Sequence, residues 1–218
     1  MKQLLVLFAA GLLAMCRTAL EAPPPPTPVI AVPRILITKP GVYDGKMMGI
    51  SPGDTVAVQA GEYTYFRFKN FMGSPTRPVV FLNYGGQVRV NSSVAQLSNV
   101  TFAASRYVVL NGQGDHQSEY GFRISAPAVG VSALAIGGKS SDVEVHHVEI
   151  DTAGFAGIMA KTDPAVGDSS TWRGNFTMYN VLIHHNYVHD TRAKGCTSVT
   201  HSGMKALLIR VLPYFPTK

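Results

Sequence analysis

Apolar and polar positions alternate strictly along short stretches of this chain, and two of those stretches are nearly the same phrase. The first is Val143-Glu144-Val145-His146-His147-Val148-Glu149-Ile150-Asp151-Thr152. The second is Val181-Leu182-Ile183-His184-His185-Asn186-Tyr187-Val188-His189-Asp190-Thr191. Alternation with a period of two predicts β-strands with one buried face. Recurrence of a phrase predicts a repeat architecture, in which each copy stacks on its neighbour and the aliphatics merge into one core. By the same alternation, one ring of each His pair is expected to point inward and the other outward.

Further strand signals recur from Ile35 onward, separated by Gly, Asn, Asp and Ser. They include Val56-Ala57-Val58, Tyr65-Phe66-Arg67-Phe68, Val79-Val80-Phe81-Leu82, Val88-Arg89-Val90 and Val100-Thr101-Phe102. Tyr107-Val108-Val109-Leu110, Gly121-Phe122-Arg123-Ile124, Leu134-Ala135-Ile136 and Gly157-Ile158-Met159-Ala160 follow. No stretch of residues 34–191 keeps a helical period between start and stop signals. A sandwich or barrel built on tight hairpins favours Asn-Gly or Asp-Gly turns, and only Asn111-Gly112 and Asp44-Gly45 fit. The duplicated strand, with a variable insertion from Lys161 to Phe176, fits a stacked coil in which one family of loops grows. The predicted fold class is therefore all-β, a parallel β-helix over residues 34–191. In its opening part Pro52-Gly53 is a turn signal, and Asp54 is expected to bond the backbone that follows it.

The chain ends change this picture. Lys2 precedes an apolar run from Leu4 to Met15 that is too short to span a bilayer and fits a signal peptide over residues 1–16. Leu13-Ala14-Met15-Cys16 is similar to a bacterial lipoprotein signal, which makes Cys16 the expected lipid-attachment residue; ordinary cleavage near Ala22 is the alternative. Pro23 to Pro26, then Pro28 and Pro33, read as a stiff linker over residues 17–33. Export is therefore expected, to a cell or outer-membrane surface or to the periplasm or medium, with membrane contact only through a lipid anchor. Cys196 is the only other cysteine, so lipidation of Cys16 leaves no intrachain disulfide.

Charge excludes one class of partner. The formal charge of +6 divides into +1 over residues 1–33 and +5 from Arg192 to the end. Residues 34–191 keep 12 basic and 12 acidic side chains and are neutral. The body of the protein thus gives no case for nucleic-acid binding.

Pro52-Gly53-Asp54-Thr55 with its aliphatics, then Gly61-Glu62-Tyr63, then Gly73-Ser74 running into Pro78-Val79-Val80, resembles the first coils of right-handed parallel β-helix proteins. The resemblance is to the pectate-lyase-like superfamily, including the chondroitinase-B and alginate-lyase type. Gly154-Phe155-Ala156-Gly157-Ile158 to Lys161-Thr162-Asp163, and the second His-His phrase, are similar to secreted β-helix proteins of Bacteroidetes-type bacteria. It covers residues 34–191. It implies a polysaccharide as substrate or ligand, polyuronate lyase or glycoside hydrolase chemistry if the chain is active, calcium as a cofactor of that type, and a monomer. The lysine or arginine base and the calcium-binding acids of that type lie on later coils and align with no residue here. The alternatives are a non-catalytic surface protein that binds through the flank of the coil, and an inactive truncated fragment.

Beyond Asp190-Thr191 the resemblance stops. Such proteins continue with Gly-Glu-Gly and then an aromatic or leucine and a tyrosine, where this chain reads Arg192-Ala193-Lys194-Gly195-Cys196-Thr197. Codons for these residues, read in a shifted frame, can encode that continuation. Residues 192–218 are therefore expected to be an out-of-frame tail, the alternative being a divergent cap of the kind repeat proteins need. The nucleotide sequence downstream of codon 190 decides between them.

Candidate chemistry follows from residue type. A polyuronate lyase needs a base to take a proton beside a carboxylate, and positive groups to neutralise that carboxylate. His146, His147, His184 and His185 are candidates by residue type, although stacked imidazoles on successive coils also make a plain structural ladder. His189 with Asp190 reads as a base and its orienting acid, or as a turn in which Asp190 bonds backbone. Lys161, Asp163 and Asp168 lie at the long insertion, where binding loops sit. Asp115, His116, Glu119 and Arg123 form one more polar group. The catalytic candidates are His185, His189, Asp190 and Lys161. No zinc spacing, phosphate loop or serine elbow is present. Asn91, Asn99 and Asn175 match the glycan-acceptor pattern.

Overall fold

The computed structural model describes residues 33–94, 98–115, 117–198 and 207–210. The signal peptide, Cys16 and nearly all of the proline linker lie outside the described residues, as do His116 and the rest of the tail.

Sixteen strands are described. In chain order they are β1 (Ile35–Ile37), β2 (Gly41–Asp44), β3 (Thr55–Tyr63), β4 (Phe66–Lys69), β5 (Val79–Asn91), β6 (Val100–Ala103), β7 (Arg106–Asn111) and β8 (Phe122–Ala126). Then come β9 (Leu134–Gly137), β10 (Ser141–His146), β11 (Val148–Ala153), β12 (Ala156–Ala160), β13 (Val181–His184), β14 (Tyr187–Val188), β15 (Lys194–Ser198) and β16 (Leu207–Arg210). The only helix among the described residues is a 3-10 turn, Ser169–Thr171. All the strand pairings are parallel. No strand of a ladder pairs with its immediate successor in the chain. The chain runs through three strips in turn and returns, a course compatible with a β-helix.

The first strip is β1, the first half of β3, the first half of β5, then β7, β10, β13 and β16. The second is the ends of β3 and β5, then β8, β11 and β14. The third is β2, β4, β6, β9, β12 and β15. In β3 and β5 one strand serves two strips, and the bend falls where the register shifts between Gln59 and Gly61. Gly85 and Gly86 turn β5 at the same level, with φ of 72° and 127°, conformations that only glycine adopts cheaply.

Parallel register stacks like on like. Val56, Phe81, Leu110, Val145 and Ile183 form one inward column of the first strip, each at most 3% exposed. Tyr63, Val90, Ile124 and Ile150 do the same in the second, and Phe66, Val100, Leu134 and Ile158 in the third. Burial of each large side chain contributes about 1.5–3 kcal/mol. Near the start of the coil the core is aromatic: the Phe68 ring lies 4.5 Å from Phe81 and 5.2 Å from Phe102, and Phe71 lies 4.9 Å from Phe81.

Pairing continues past Thr191. Lys194–Ser198 runs beside β12 with Cys196 opposite Ile158, and Leu207–Arg210 runs beside β13 with Leu207 opposite Val181. Two local expectations change. Asp54 accepts from the Ser51 N–H before it at 2.8 Å and pairs with Arg34 at 2.6 Å, rather than bonding the backbone that follows. Asn99, a glycan-acceptor match, is buried and donates to the Ser125 and Ser92 carbonyls, so its amide is occupied.

Between the first and second strips the ladder breaks, because His147 and His185 adopt φ of 55° and 51°. The broken ladder leaves a buried donor and acceptor, and Asn186 fills both roles. Its Oδ1 accepts the Val148 N–H at 2.9 Å and its Nδ2 donates to the Val145 carbonyl at 2.9 Å. Replacing Asn186 by Ala strands both groups, and about 2–4 kcal/mol of stability is expected to be lost. Urea denaturation of the variant checks this; a loss below about 0.5 kcal/mol would show that water replaces the amide.

Candidate functional site

Alternation along β10 turns Val143 and Val145 inward and Glu144 and His146 outward; β13 repeats this with Leu182 and His184. The left-handed backbone at the next residue then presents His147 and His185 to the outside as well. His146 is buried beside half-buried His147, and His184 is half-buried beside exposed His185, so the expected inward–outward split survives only as a difference in cover. Strand alternation ends one residue earlier than the phrase suggests, and the buried place beyond each turn of the second copy belongs to Asn186.

The four imidazoles form two stacked columns. His146 and His184 lie 5.0 Å apart at 13°, and His147 and His185 lie 5.4 Å apart at 4°. Within each pair the Nδ1 atoms face each other, at 2.8 Å in the first and 2.5 Å in the second. His184 Nε2 donates to Glu144 Oε1 at 2.8 Å, whereas His146 Nε2 stands 3.9 Å from the same oxygen, beyond a hydrogen bond. Burial pulls the His146 pKa down to about 4 against an upward pull from Glu144, and the neighbouring imidazoles His184, His147 and His185 lower it further. His147 is lowered as well, by burial first and then by His185 and His184. A groove of about 310 Å³ opens on this face, lined by Tyr107, Val109, Asp142, Glu144, Asn180 and Leu182 among others.

The second strip carries a different network. Register places Glu62, Arg89, Arg123, Glu149 and Tyr187 side by side on its outer surface. Arg123 holds Asp151 through Nε at 2.8 Å and Nη2 at 2.7 Å, and Glu149 stands 3.8 Å away. The Ser125 hydroxyl donates to the other Asp151 oxygen. A register shift between Ile150 and Thr152 makes room for Asp151 in this network. Arg89 is looser: Nε bonds Gln87 at 2.9 Å and Nη1 reaches Glu62 at 3.3 Å, with side chains 54% and 69% exposed. Glu62, Arg89, Asn91, Arg123, Ser125 and Asp151 line most of a groove of about 210 Å³.

His189 sits at the end of this network. Its Nδ1 is 2.8 Å from Asp190 Oδ2 and its Nε2 is 3.4 Å from Glu149 Oε1, and its ring stacks on Tyr187 at 4.3 Å. Each ring nitrogen of His189 thus faces a carboxylate, and neither is open to an incoming substrate. Asp190 has φ of 51°, and its carboxylate reaches the imidazole rather than the backbone expected of a turn aspartate.

The remaining candidates do not join these groups. Lys161 pairs with Asp163 at 2.9 Å and bonds none of the imidazoles. Asp168 caps the 3-10 turn, and its bond from Ser170 leads the effects that hold its carboxyl below the usual range. Asp115 accepts the Gln117 N–H and Arg123 turns to Asp151, while His116, another member of that expected polar group, lies outside the described residues. Burial, then Glu119, pushes the Tyr120 hydroxyl up to about 12. Burial also pushes the Cys196 thiol up to about 11, which keeps it protonated and unreactive. Among the described residues no three His, Cys, Asp or Glu side chains converge to hold a metal ion. Glu144 was the partner missed from sequence: it lies 40 residues before His184, and only the register between circuits brings them together.

No family model, curated protein or solved structure matches the chain.

The first histidine pair predicts acid sensitivity. The folded-state pKa of His146, about 4, lies below its ordinary value of 6.5, so unfolding takes up a proton between these limits. Its contribution is fully present above pH 6.5 and is lost as pH falls toward 4, on the order of 3 kcal/mol. Asn111 occupies the same register position one circuit earlier, so His146→Asn fits the column. The variant is expected to lose less stability than the parent between about pH 7 and about pH 4 by urea denaturation. Equal losses in the two proteins would place the acid sensitivity elsewhere.

Proposed function

We propose that this chain is an exported right-handed parallel β-helix protein of pectate-lyase-like ancestry that acts on or binds polysaccharide. The parallel strips, the repeated phrase and the outward columns of polar side chains support this reading. One observation carries it: the groove between Arg89 and Arg123, where guanidinium groups from adjacent circuits face solvent beside Asn91 and Ser125. A sugar carboxylate needs a positive group that it can reach. Arg123 is committed to Asp151, but the Arg89–Glu62 pair is exposed at both ends and contributes no more than about 1 kcal/mol. Arg89 can therefore exchange Glu62 for an incoming uronate at little cost, and the amide and hydroxyl beside it are suited to ring hydroxyls.

Incubation with a panel of polyuronates, followed through the absorbance of unsaturated uronide products, tests this. Product formation is expected, and Arg89→Ala is expected to raise KM about 10-fold or more through loss of a charged hydrogen bond. Glycan-array binding without turnover would make the chain a binding protein. Neither binding nor turnover would overturn the proposal.

A further inference from the structure

The two histidine phrases differ in their contact with an acid. In the second, the Glu144 carboxylate accepts from His184 Nε2 at 2.8 Å. A carboxylate only accepts, so the Nε2 proton belongs to His184. In the neutral ring Nδ1 is then an acceptor, and the proton in the 2.5 Å contact between the Nδ1 atoms belongs to His185. That assignment leaves His185 Nε2 as a lone pair. The His185 side chain is exposed, and no described residue bonds that nitrogen. In the first phrase the corresponding diagonal position, one circuit back, is Val109 rather than an acid. His146 Nε2 lacks a carboxylate within bonding distance, and nothing fixes its tautomer from that side.

We infer that Glu144, His184 and His185 form a proton relay whose outer end, His185 Nε2, is a general base for a sugar unit three circuits along the coil from the one held at Arg89. His184 and Glu144 are positioning residues. The step balances as follows. A carbon acid beside a uronate carboxyl gives its proton to His185 Nε2, and the C–H electron pair stays on the substrate. The His185 Nδ1 proton crosses to His184 Nδ1. The positive charge comes to rest on the His184 ring, against the Glu144 carboxylate. The electron pair then forms the new carbon–carbon double bond and expels the glycosidic oxygen, which takes one proton as the relay runs back. His189 has no equivalent free nitrogen while Glu149 and Asp190 hold it.

The assignment of the base rests on the lyase reading, but the relay can be tested without a glycan. Among the described residues the groups facing His185 are His184 on its own strand and turn, His147 stacked from the preceding circuit, and His146 and Glu144 behind them; Glu119 acts on His147, and on the following circuit Arg210 of β16 is the register partner of His184. Acylation of each histidine by diethyl pyrocarbonate, read by peptide mass spectrometry across pH, reports the basicity of each free ring nitrogen. His185 is expected to be modified faster than His146 or His184. Glu144→Gln is expected to slow the acylation of His185 about threefold or more at neutral pH, since an opposite charge leaves the relay. Nitrogen NMR is expected to show neutral His185 protonated at Nδ1. An unchanged His185 acylation rate in Glu144→Gln, or neutral His185 protonated at Nε2, overturns the relay.

On any polyuronate the protein turns over, His185→Asn is expected to reduce kcat about 100-fold or more with KM little changed. Unchanged kcat would remove His185 as the base. Absence of turnover on every polyuronate, with the modification profile as expected, would remove the lyase reading and leave the relay standing.

Discussion

Everything in this protein hangs on in-register parallel pairing between successive circuits of the chain. A strand in such a ladder gives its N–H and C=O groups to the circuits before and after it, so a residue's neighbours are set by its position around the circuit. Inward positions meet inward positions, and a continuous column of aliphatic and aromatic side chains follows without any long helix or hairpin. The same rule operates outside. Imidazole stacks on imidazole, and guanidinium lies beside guanidinium with carboxylates to either side.

Much of the fold was legible because the alternation that builds such a ladder is local. The strand signals at Val56, Val79, Val100, Tyr107, Leu134, Val143 and Val181 each fall within or beside a strand. The turns were less legible. Alternation assigns opposite faces to neighbouring histidines, but it stops holding where the backbone crosses to positive φ, and nothing in the pair His146-His147 announces that crossing. Asn186 is a clearer signal in hindsight. An asparagine among aliphatics is costly in a core unless it satisfies backbone groups, and a broken ladder supplies them. The partners of the candidate residues were hidden for another reason. Glu144 and His184, or Arg123 and Asp151, are far apart in sequence, and their contact is a property of the offset between circuits.

The two outer networks solve opposite problems. On the second strip nearly every charge is matched: Arg123 by Asp151 and Glu149, His189 by Glu149 and Asp190, and Arg89 by Glu62. Such a surface is rigid where its pairs are shielded and exchangeable where they are exposed, which distinguishes Arg123 from Arg89. Around the histidines the proposed relay runs one way, from an exposed ring toward an acid, and one end stays open. A closed network holds a surface together, whereas an open one can accept a proton.

The diagonal contact between Glu144 and His184 also bears on how repeat proteins acquire chemistry. Duplicating a circuit copies its outward residues along with its core, so an imidazole pair arrives in the new copy already oriented by stacking. Whether that pair is linked to an acid depends on one position in the circuit before it, valine in one case and glutamate in the other. A single substitution on the outer surface, with no demand on the core, decides whether the pair is joined to an acid. Gene duplication in such a fold therefore supplies sets of half-built sites, each a single mutation from completion and each free to drift while its neighbour is kept.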